Sequence, residues 1–229
     1  MNFSNVKAVL LDIDNTLLDF NECSRIAMKK AFESHGLAFR EEVYPTFLTV
    51  NEGLWKAIER GEYTRAQLHK ERWNIILQKT GYDYDGEKIE RDFLANLYDC
   101  ISIIDGANEI VEYLSSKYYL CTASNAPNDQ QYNRLKLAGF YPYLKKVFTS
   151  EAIGISKPQK GFFDACFSQM EGITPDETVM IGDSLTADIR GAKEYGLKTI
   201  WYNHLKADLP KDEPYDAKVD TLLEIKKYL

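Results

Sequence analysis

The sequence predicts an α/β fold, a doubly wound parallel sheet with an inserted helical bundle. Three observations predict it. Short apolar runs such as "AVLLD", "YYLCTAS", "TVMIGD" and "KTIWY" recur along the chain. From the second run onward they alternate with segments of helical periodicity, which implies a parallel sheet covered on both faces. Between the first run and the second lies a long, charge-rich stretch whose pattern is almost entirely helical.

Each element has its own signal. Residues 6–11 are an apolar run and read as a buried strand. Residues 25–37 carry Ile26, Met28, Ala31 and Phe32 at helical spacing. "TRAQ" at 64–67 is a capping box, followed by Leu68, Trp73, Ile76 and Leu77 on a helix that Gly81 ends. A further helix is expected over residues 87–98. Beyond it, "DGANEIVEYLSSK" reads as a helix, "YYLCTAS" as a strand, and "PNDQQYNRLKLAG" as a helix closed by Gly139. "KVFTS" is a short strand and "QKGFFDACFSQM" a helix. "TPDE", starting at Thr174, is a second capping box with proline at the first helical position. "TVMIGD" is a strand, "LTADIRGAKEYG" a helix, "KTIWY" a strand and "TLLEIKKYL" a final helix. The expected division is a core made of residues 1–17 and 100–229, with a helical domain at 18–99. Internal repeats and low-complexity linkers are absent from the sequence.

The 229 residues, 45% apolar and 28% charged, suffice for a sizeable core. A net charge of −7 argues against a nucleic-acid polymer as partner, because phosphate backbones are bound by basic faces. Cys23, Cys100, Cys121 and Cys166 are scattered without a CxxC pair, so free thiols in a reducing compartment are expected. No signal segment opens the chain, and no apolar run approaches the roughly 18 residues of a membrane span. The expectation is a cytoplasmic protein with no membrane partner.

In open parallel sheets, ligands bind beyond the carboxyl ends of the strands. The first strand ends at Asp12, with Asp14, Asn15 and Thr16 just beyond. "YYLCTAS" ends at Ser124 and Asn125, "GISKP" brings Lys157, and "TVMIGD" ends at Asp183 with Asp188 five residues on. Like carboxylates 4 Å apart repel by roughly 4 kcal/mol at an effective dielectric near 20. If Asp12, Asp14, Asp183 and Asp188 converge, a hard divalent cation with oxygen ligands is the natural offset, and magnesium suits few carboxylates and several waters. With Lys157 added, the edge attracts anions, phosphate first among them. Ser124, Asn125 and backbone N–H groups are placed to hold its oxygens.

No serine or cysteine nucleophile with a base accompanies these residues. His35, His69 and His204 are distant from them in sequence and are expected to be surface or packing residues. The available nucleophile is a carboxylate, and aspartates do attack phosphorus. A second group must protonate the leaving oxygen and later deprotonate water. Asp12 and Asp14 are spaced for these two tasks if the chain curls between them.

"DIDNT", "SN", "KP" and "GDSLTAD" resemble, in order and spacing, the four motifs of the haloacid dehalogenase-like phosphohydrolases. The resemblance spans about two thirds of the chain and implies a Rossmann-like core. It implies that Asp12 is the nucleophile and a magnesium ligand. It makes Asp14 the general acid/base, with its backbone carbonyl on the metal. Thr16 would fix the turn after the first strand and join Ser124 and Asn125 in binding the phosphoryl group. Lys157 would steady the nucleophile and the developing charge. Asp183 would bind magnesium, and Asp188 would support the metal shell or orient Lys157, with Ser184 as a further donor. Ala126 stands where the family's glycine is expected.

The helical insertion resembles the family's cap, which closes over the site and reads the substrate. "NEGLWKAIERGEYTRAQLHKERW", "SEAIGISKPQKGFF" and "GDSLTADIRGAKEYGL" resemble, more narrowly, the YjjG-type pyrimidine 5′-nucleotidases. This implies a small phosphorylated metabolite, a nucleoside monophosphate, as substrate for a monomer or homodimer. Asn51 and Trp55, four apart on one helix face, are candidates for contact with base or sugar, against ordinary packing. A sugar-phosphate or phosphoglycolate phosphatase is the alternative on the same core. A dehalogenase is disfavoured because it needs no acid/base at the second aspartate, which is present as Asp14. A phospho-receiver domain or a non-catalytic binding protein fits the full acid and lysine set less well.

Overall fold

The structure, a computed structural model, describes residues 3–209, 211–212 and 214–229. The chain divides into two compact units, residues 1–20 with 101–229, and residues 21–100.

The first unit is built on a six-stranded sheet. Strands β1 (Ala8–Leu11), β2 (Tyr119–Ser124), β3 (Lys146–Thr149), β4 (Thr178–Gly182), β5 (Lys198–Tyr202) and β6 (Ala217–Val219) lie in the order β3-β2-β1-β4-β5-β6. All neighbouring strands are parallel. The order reverses at β1, which is flanked by β2 and β4, so the crevice of a doubly wound sheet opens at the end of β1.

Burial on both faces explains why these strands read as apolar runs rather than alternating ones. Val9 and Leu11 join one core with Ile110, Leu114, Leu135, Val179, Ile181, Leu222 and Ile225. Ala8 and Leu10 point the other way, into a second core with Cys121, Ala123, Phe162, Phe163, Met180 and Ala192. The first core draws on α5 (Ala107–Lys117), α6 (Asn128–Leu137) and a 3₁₀ segment at Leu222–Lys227. The second draws on α8 (Lys160–Phe167) and α9 (Gly191–Tyr195), while the single-turn α7 (Ser150–Ile153) follows β3.

Residues 21–100 form a helical unit of α1 (Phe20–Ser34), α2 (Val43–Glu59), α3 (Arg65–Lys79) and α4 (Gly86–Tyr98). Its centre is aromatic. Trp73 packs on Phe32, Phe47 and Phe93 with ring centroids 5.5–5.7 Å apart. Thr64 caps α3 as its spacing predicts, with Gln67 completing the capping box.

The structure departs from the sequence reading at several ends. "TPDE" keeps its capping box but caps only a 3₁₀ turn, Pro175–Glu177, which leads directly into β4. The expected helix over "LTADIRGAKEYG" starts as a π-helical turn, Leu185–Arg190, before becoming α9. The C-terminal helix is 3₁₀, and β6 carried no sequence expectation. At three residues, β6 is too short to show a period.

Candidate active site

The turn after β1 answers how two acids one residue apart are used. Leu17 and Leu18 N–H both donate to Ile13 O at 2.9 Å, and Asn15 N–H donates to Leu18 O at 2.7 Å. Asn15 takes a left-handed φ of 59°, which asparagine tolerates better than most residues. The chain curls tightly, so Asp12 and Asp14 leave β1 in different directions and meet different partners.

Asp12 is buried. Its backbone N–H donates to Ile181 O on β4 at 2.9 Å, and its Oδ1 accepts from Lys157 Nζ at 2.8 Å. Lys157 Nζ also donates to Asp188 Oδ1 at 2.6 Å and to Ala123 O at 2.6 Å. These three partners use all three ammonium hydrogens. Burial alone would lower the Lys157 pKa, but the Asp12 and Asp188 carboxylates outweigh it and hold the ammonium above its ordinary range.

Lys157 is itself held through its backbone. Asn125 Nδ2 donates to Lys157 O at 2.9 Å, and Asn125 Oδ1 accepts from Lys157 N–H at 2.8 Å. The Asn125 amide therefore ties the end of β2 to the lysine loop, a use distinct from the phosphoryl contact expected of it. Ala126, following it, has no positive φ, so the turn accepts alanine where glycine was expected.

Asp188 reaches the cluster because the π-helical turn carries it inward, with Asp188 and Ile189 N–H both directed at Ser184 O. Its Oδ2 accepts from Ser184 N–H at 3.1 Å. A β-carbon on Gly182 would stand 2.2 Å from that Oδ2, so glycine is required beneath the carboxylate. The Ser184 hydroxyl caps the turn by accepting from Ala187 N–H at 3.1 Å. Asp183 is fixed by its own carbonyl, which accepts from Trp201 Nε1 at 2.9 Å.

Asp12, Asp183 and Asp188 each bring a carboxylate oxygen within 4.8 Å of the others. Burial, reinforced by the neighbouring Asp188 and Asp14 carboxylates against Lys157, pushes Asp12 up to about 7. Burial and the Asp12 and Asp188 carboxylates likewise push Asp183 well above the usual carboxylate range. One ammonium facing three carboxylates leaves the cluster short of positive charge. A divalent cation would bring it to neutrality, and an all-oxygen donor set of this kind fits magnesium. Asp183 keeps 24% of its side chain exposed, so the cluster opens to solvent on its side.

Asp14 lies apart from this triad. Its Oδ1 accepts from Arg134 NH1 at 2.5 Å and its Oδ2 from Gln131 Nε2 at 2.6 Å, both from α6. Gln131 Nε2 also donates to Ser124 Oγ at 2.9 Å. Ser124 Oγ accepts a second bond from Ala126 N–H at 3.2 Å, which leaves its own proton for an incoming anion. Thr16 is fully buried, and its Oγ1 has no hydrogen-bond partner among the described residues. That enclosure suits a residue that fills the turn rather than one that touches a phosphate.

Sequence reasoning did not single out Gln131, Arg134 or His204. Gln131 and Arg134 are completely buried. The available signal was a glutamine four residues before Leu135, a polar side chain inside the apolar stripe of α6. His204, expected to be a surface or packing residue, lies with Nε2 4.0 Å from Asp183 Oδ2 and stacks on Tyr202. Burial lowers its pKa. It follows β5 closely enough that strand-end logic would have included it.

In the helical unit, Asn51 is buried and its Oδ1 accepts from Arg72 NH1 at 2.8 Å. Arg72 in turn donates to Glu90 through Nε and NH2 at 3.1 and 2.6 Å, and His69 Nδ1 lies 2.7 Å from the same carboxylate. Asn51 is thus committed to an interior polar network joining α2, α3 and α4. Trp55, one turn along α2, is half-buried.

Comparison with known proteins places these features in a family. A family model described as haloacid dehalogenase-like hydrolase matches residues 6–196. The HAD-hydrolase YfnB of Bacillus subtilis is 34% identical over 209 residues, covering 91% of this chain and 89% of its own. A crystal structure of YfnB bound to magnesium superposes with a TM-score of 0.92 at 31% identity, covering 97% of each chain. The pyrimidine 5′-nucleotidase PynA of Streptococcus pneumoniae is 31% identical, covering 92% of this chain and 90% of its own. The pyrimidine 5′-nucleotidase YjjG of Escherichia coli is 24% identical, covering 96% of both. The chain belongs to the haloacid dehalogenase-like hydrolases.

Proposed function

We propose that the protein is a magnesium-dependent phosphatase acting on nucleoside 5′-monophosphates, pyrimidine preferred, through an aspartyl-phosphate on Asp12. The observation that carries the reading is the seating of Asp12. It is a buried carboxylate at the sheet's switch point, with Lys157 Nζ 2.8 Å from one oxygen and Asp183 and Asp188 beside it.

A carboxylate oxygen of Asp12 attacks phosphorus, and the bond from phosphorus to the leaving oxygen breaks. Protonated Asp14 gives its proton to that oxygen. In the second half, the Asp14 carboxylate takes a proton from water, whose oxygen attacks phosphorus, freeing phosphate and the Asp12 carboxylate. Asp12, Asp183, Asp188 and the backbone carbonyl of Asp14 would hold magnesium, which would supply positive charge to offset that of the phosphoryl oxygens. Lys157 orients Asp12, Asn125 orients Lys157, and the Ser124 hydroxyl donates to the phosphoryl group. An acid in the position of Asp14 favours phosphoryl transfer over dehalogenation, because attack on carbon needs no proton donor there.

The substrate class rests on the helical insertion and on the two relatives named as pyrimidine 5′-nucleotidases. We assign residues 21–100 the part of a cap, with Trp55 its best candidate for contact with the nucleobase. The testing experiment is phosphate release with magnesium across nucleoside monophosphates and sugar phosphates. Preference for UMP, dUMP or dTMP supports the reading, and preference for a sugar phosphate overturns the nucleotide assignment.

A further inference from the structure

We propose that Arg134 and Gln131 on α6 are positioning residues that clamp the Asp14 carboxylate and tie it to the phosphate-binding hydroxyl of Ser124. The proposal rests on Asp14 acting as acid/base in a phosphatase.

Burying a guanidinium costs several kcal/mol unless its charge and N–H groups are matched. At a site chosen for packing alone, an apolar side chain would stabilise α6 without that cost. Arg134 is nonetheless fully buried, and its NH1 meets Asp14 Oδ1 at 2.5 Å. Gln131, one turn earlier and also fully buried, takes the other carboxylate oxygen at 2.6 Å. Both oxygens of Asp14 are therefore held from a single helix.

The two holders are also joined to each other and to the site. Arg134 NH1 lies 3.3 Å from Gln131 Oε1, so the arginine orients the amide with its NH₂ group toward Asp14 and Ser124. The Gln131 amide donates one hydrogen to Asp14 Oδ2 and the other to Ser124 Oγ at 2.9 Å. That shared nitrogen sets the distance between the proton donor and the hydroxyl that would hold the phosphoryl group. It also leaves Ser124 an acceptor toward Gln131, so its own proton faces outward.

An aspartate has two free side-chain torsions, and Asp14 sits beyond the strand, on a turn, with 25% of its side chain exposed. Without the clamp it would sample several rotamers, and misplacement of a reacting group by about 1 Å can cost 10²-fold. Arg134 and Gln131 are not placed to touch substrate. They act through Asp14 and Ser124.

The test uses the full chain with magnesium and two substrates of similar shape, p-nitrophenyl phosphate and phenyl phosphate. The first leaves readily, and the second depends on protonation. The readout is kcat/KM, which reports phosphoryl transfer to the enzyme. Gln131→Met and Arg134→Met should lose roughly tenfold more on phenyl phosphate, part of the 10²–10⁴ a positioned acid supplies. Asp14→Asn should show the same bias more strongly, and adding Gln131→Met to it should change little further. Arg134→Lys keeps a charge but not the planar fork, and should fall between wild type and Arg134→Met; it also serves where the neutral variant does not fold.

Equal losses on both substrates for the clamp variants, with the bias intact in Asp14→Asn, would overturn the clamp alone. So would a full additional loss in the Asp14→Asn background. A wild type that turns over neither substrate, or an Asp14→Asn variant without the bias, overturns the underlying acid/base reading and the clamp with it.

Discussion

The Lys157 ammonium lies 2.8 Å from Asp12 Oδ1, and with 2.6 Å contacts to Asp188 and to Ala123 O it has no hydrogen left for a substrate. In the proposed mechanism the lysine therefore works on Asp12 by direct contact and on the phosphoryl group only through its field. Lys157→Met should lower kcat by about 10²–10³ while leaving KM less affected, as expected for a charge that matters most in the transition state. It should also destabilise the magnesium-free protein, because breaking a buried ion pair costs about 3–5 kcal/mol. Urea unfolding with and without magnesium measures this.

Removal of magnesium by a chelator should abolish turnover, and its return should restore it. Bound metal should raise the unfolding free energy, by about 2.7 kcal/mol at a hundredfold excess over the dissociation constant. Asp183→Asn should shrink the magnesium-induced rise in Tm. A rise as large as in wild type would take Asp183 out of the metal site.

Gly182→Ala places a β-carbon 2.2 Å from Asp188 Oδ2. Asp188 must move, and with it one of the three contacts of Lys157. Overpacking of this kind costs about 1–3 kcal/mol. We expect loss of activity out of proportion to loss of stability, read by comparing kcat with the urea midpoint.

Two substitutions in the helical unit test packing against the proposed recognition. Asn51→Ala removes a hydrogen bond to a buried guanidinium and should cost roughly 1.5–3 kcal/mol, with nucleotide preference unchanged. Trp55→Ala should alter nucleotide preference while keeping turnover of an aryl phosphate. Equal losses on both substrates would make Trp55 a packing residue.

How much of this was legible follows from where each signal lives. Asp12, Asp14 and Asp183 sit at or just beyond strand ends, Asp188 lies in the turn that follows β4 and Lys157 in the loop after α7, and parallel strands announce themselves as apolar runs. The meeting of Asp12, Lys157, Asp183 and Asp188 could be read from that placement, and the seating of Asp14 apart from them could not. Arg134 and Gln131 could not, because helical periodicity marks which face is buried but not what a buried polar group meets across the chain. Asn125 was legible as a site residue, but its task of holding the Lys157 backbone depends on loop geometry. The π-helical turn was invisible for a related reason. Leu185 and Ile189 have ordinary helical spacing, which does not show the extra residue per turn that accompanies the Asp188 contacts with Lys157 and Ser184.

The central claim is that Asp12 carries the phosphoryl group. The most direct measurement is mass spectrometry of the Asp14→Asn enzyme, rapidly quenched in acid during turnover of an aryl phosphate with magnesium. That variant lacks the base proposed to activate water, so the intermediate should accumulate. The account predicts one phosphoryl group on the peptide containing Asp12, and none when Asp12→Asn is added. A phosphoryl group on another residue, or turnover retained by Asp12→Asn, would contradict it.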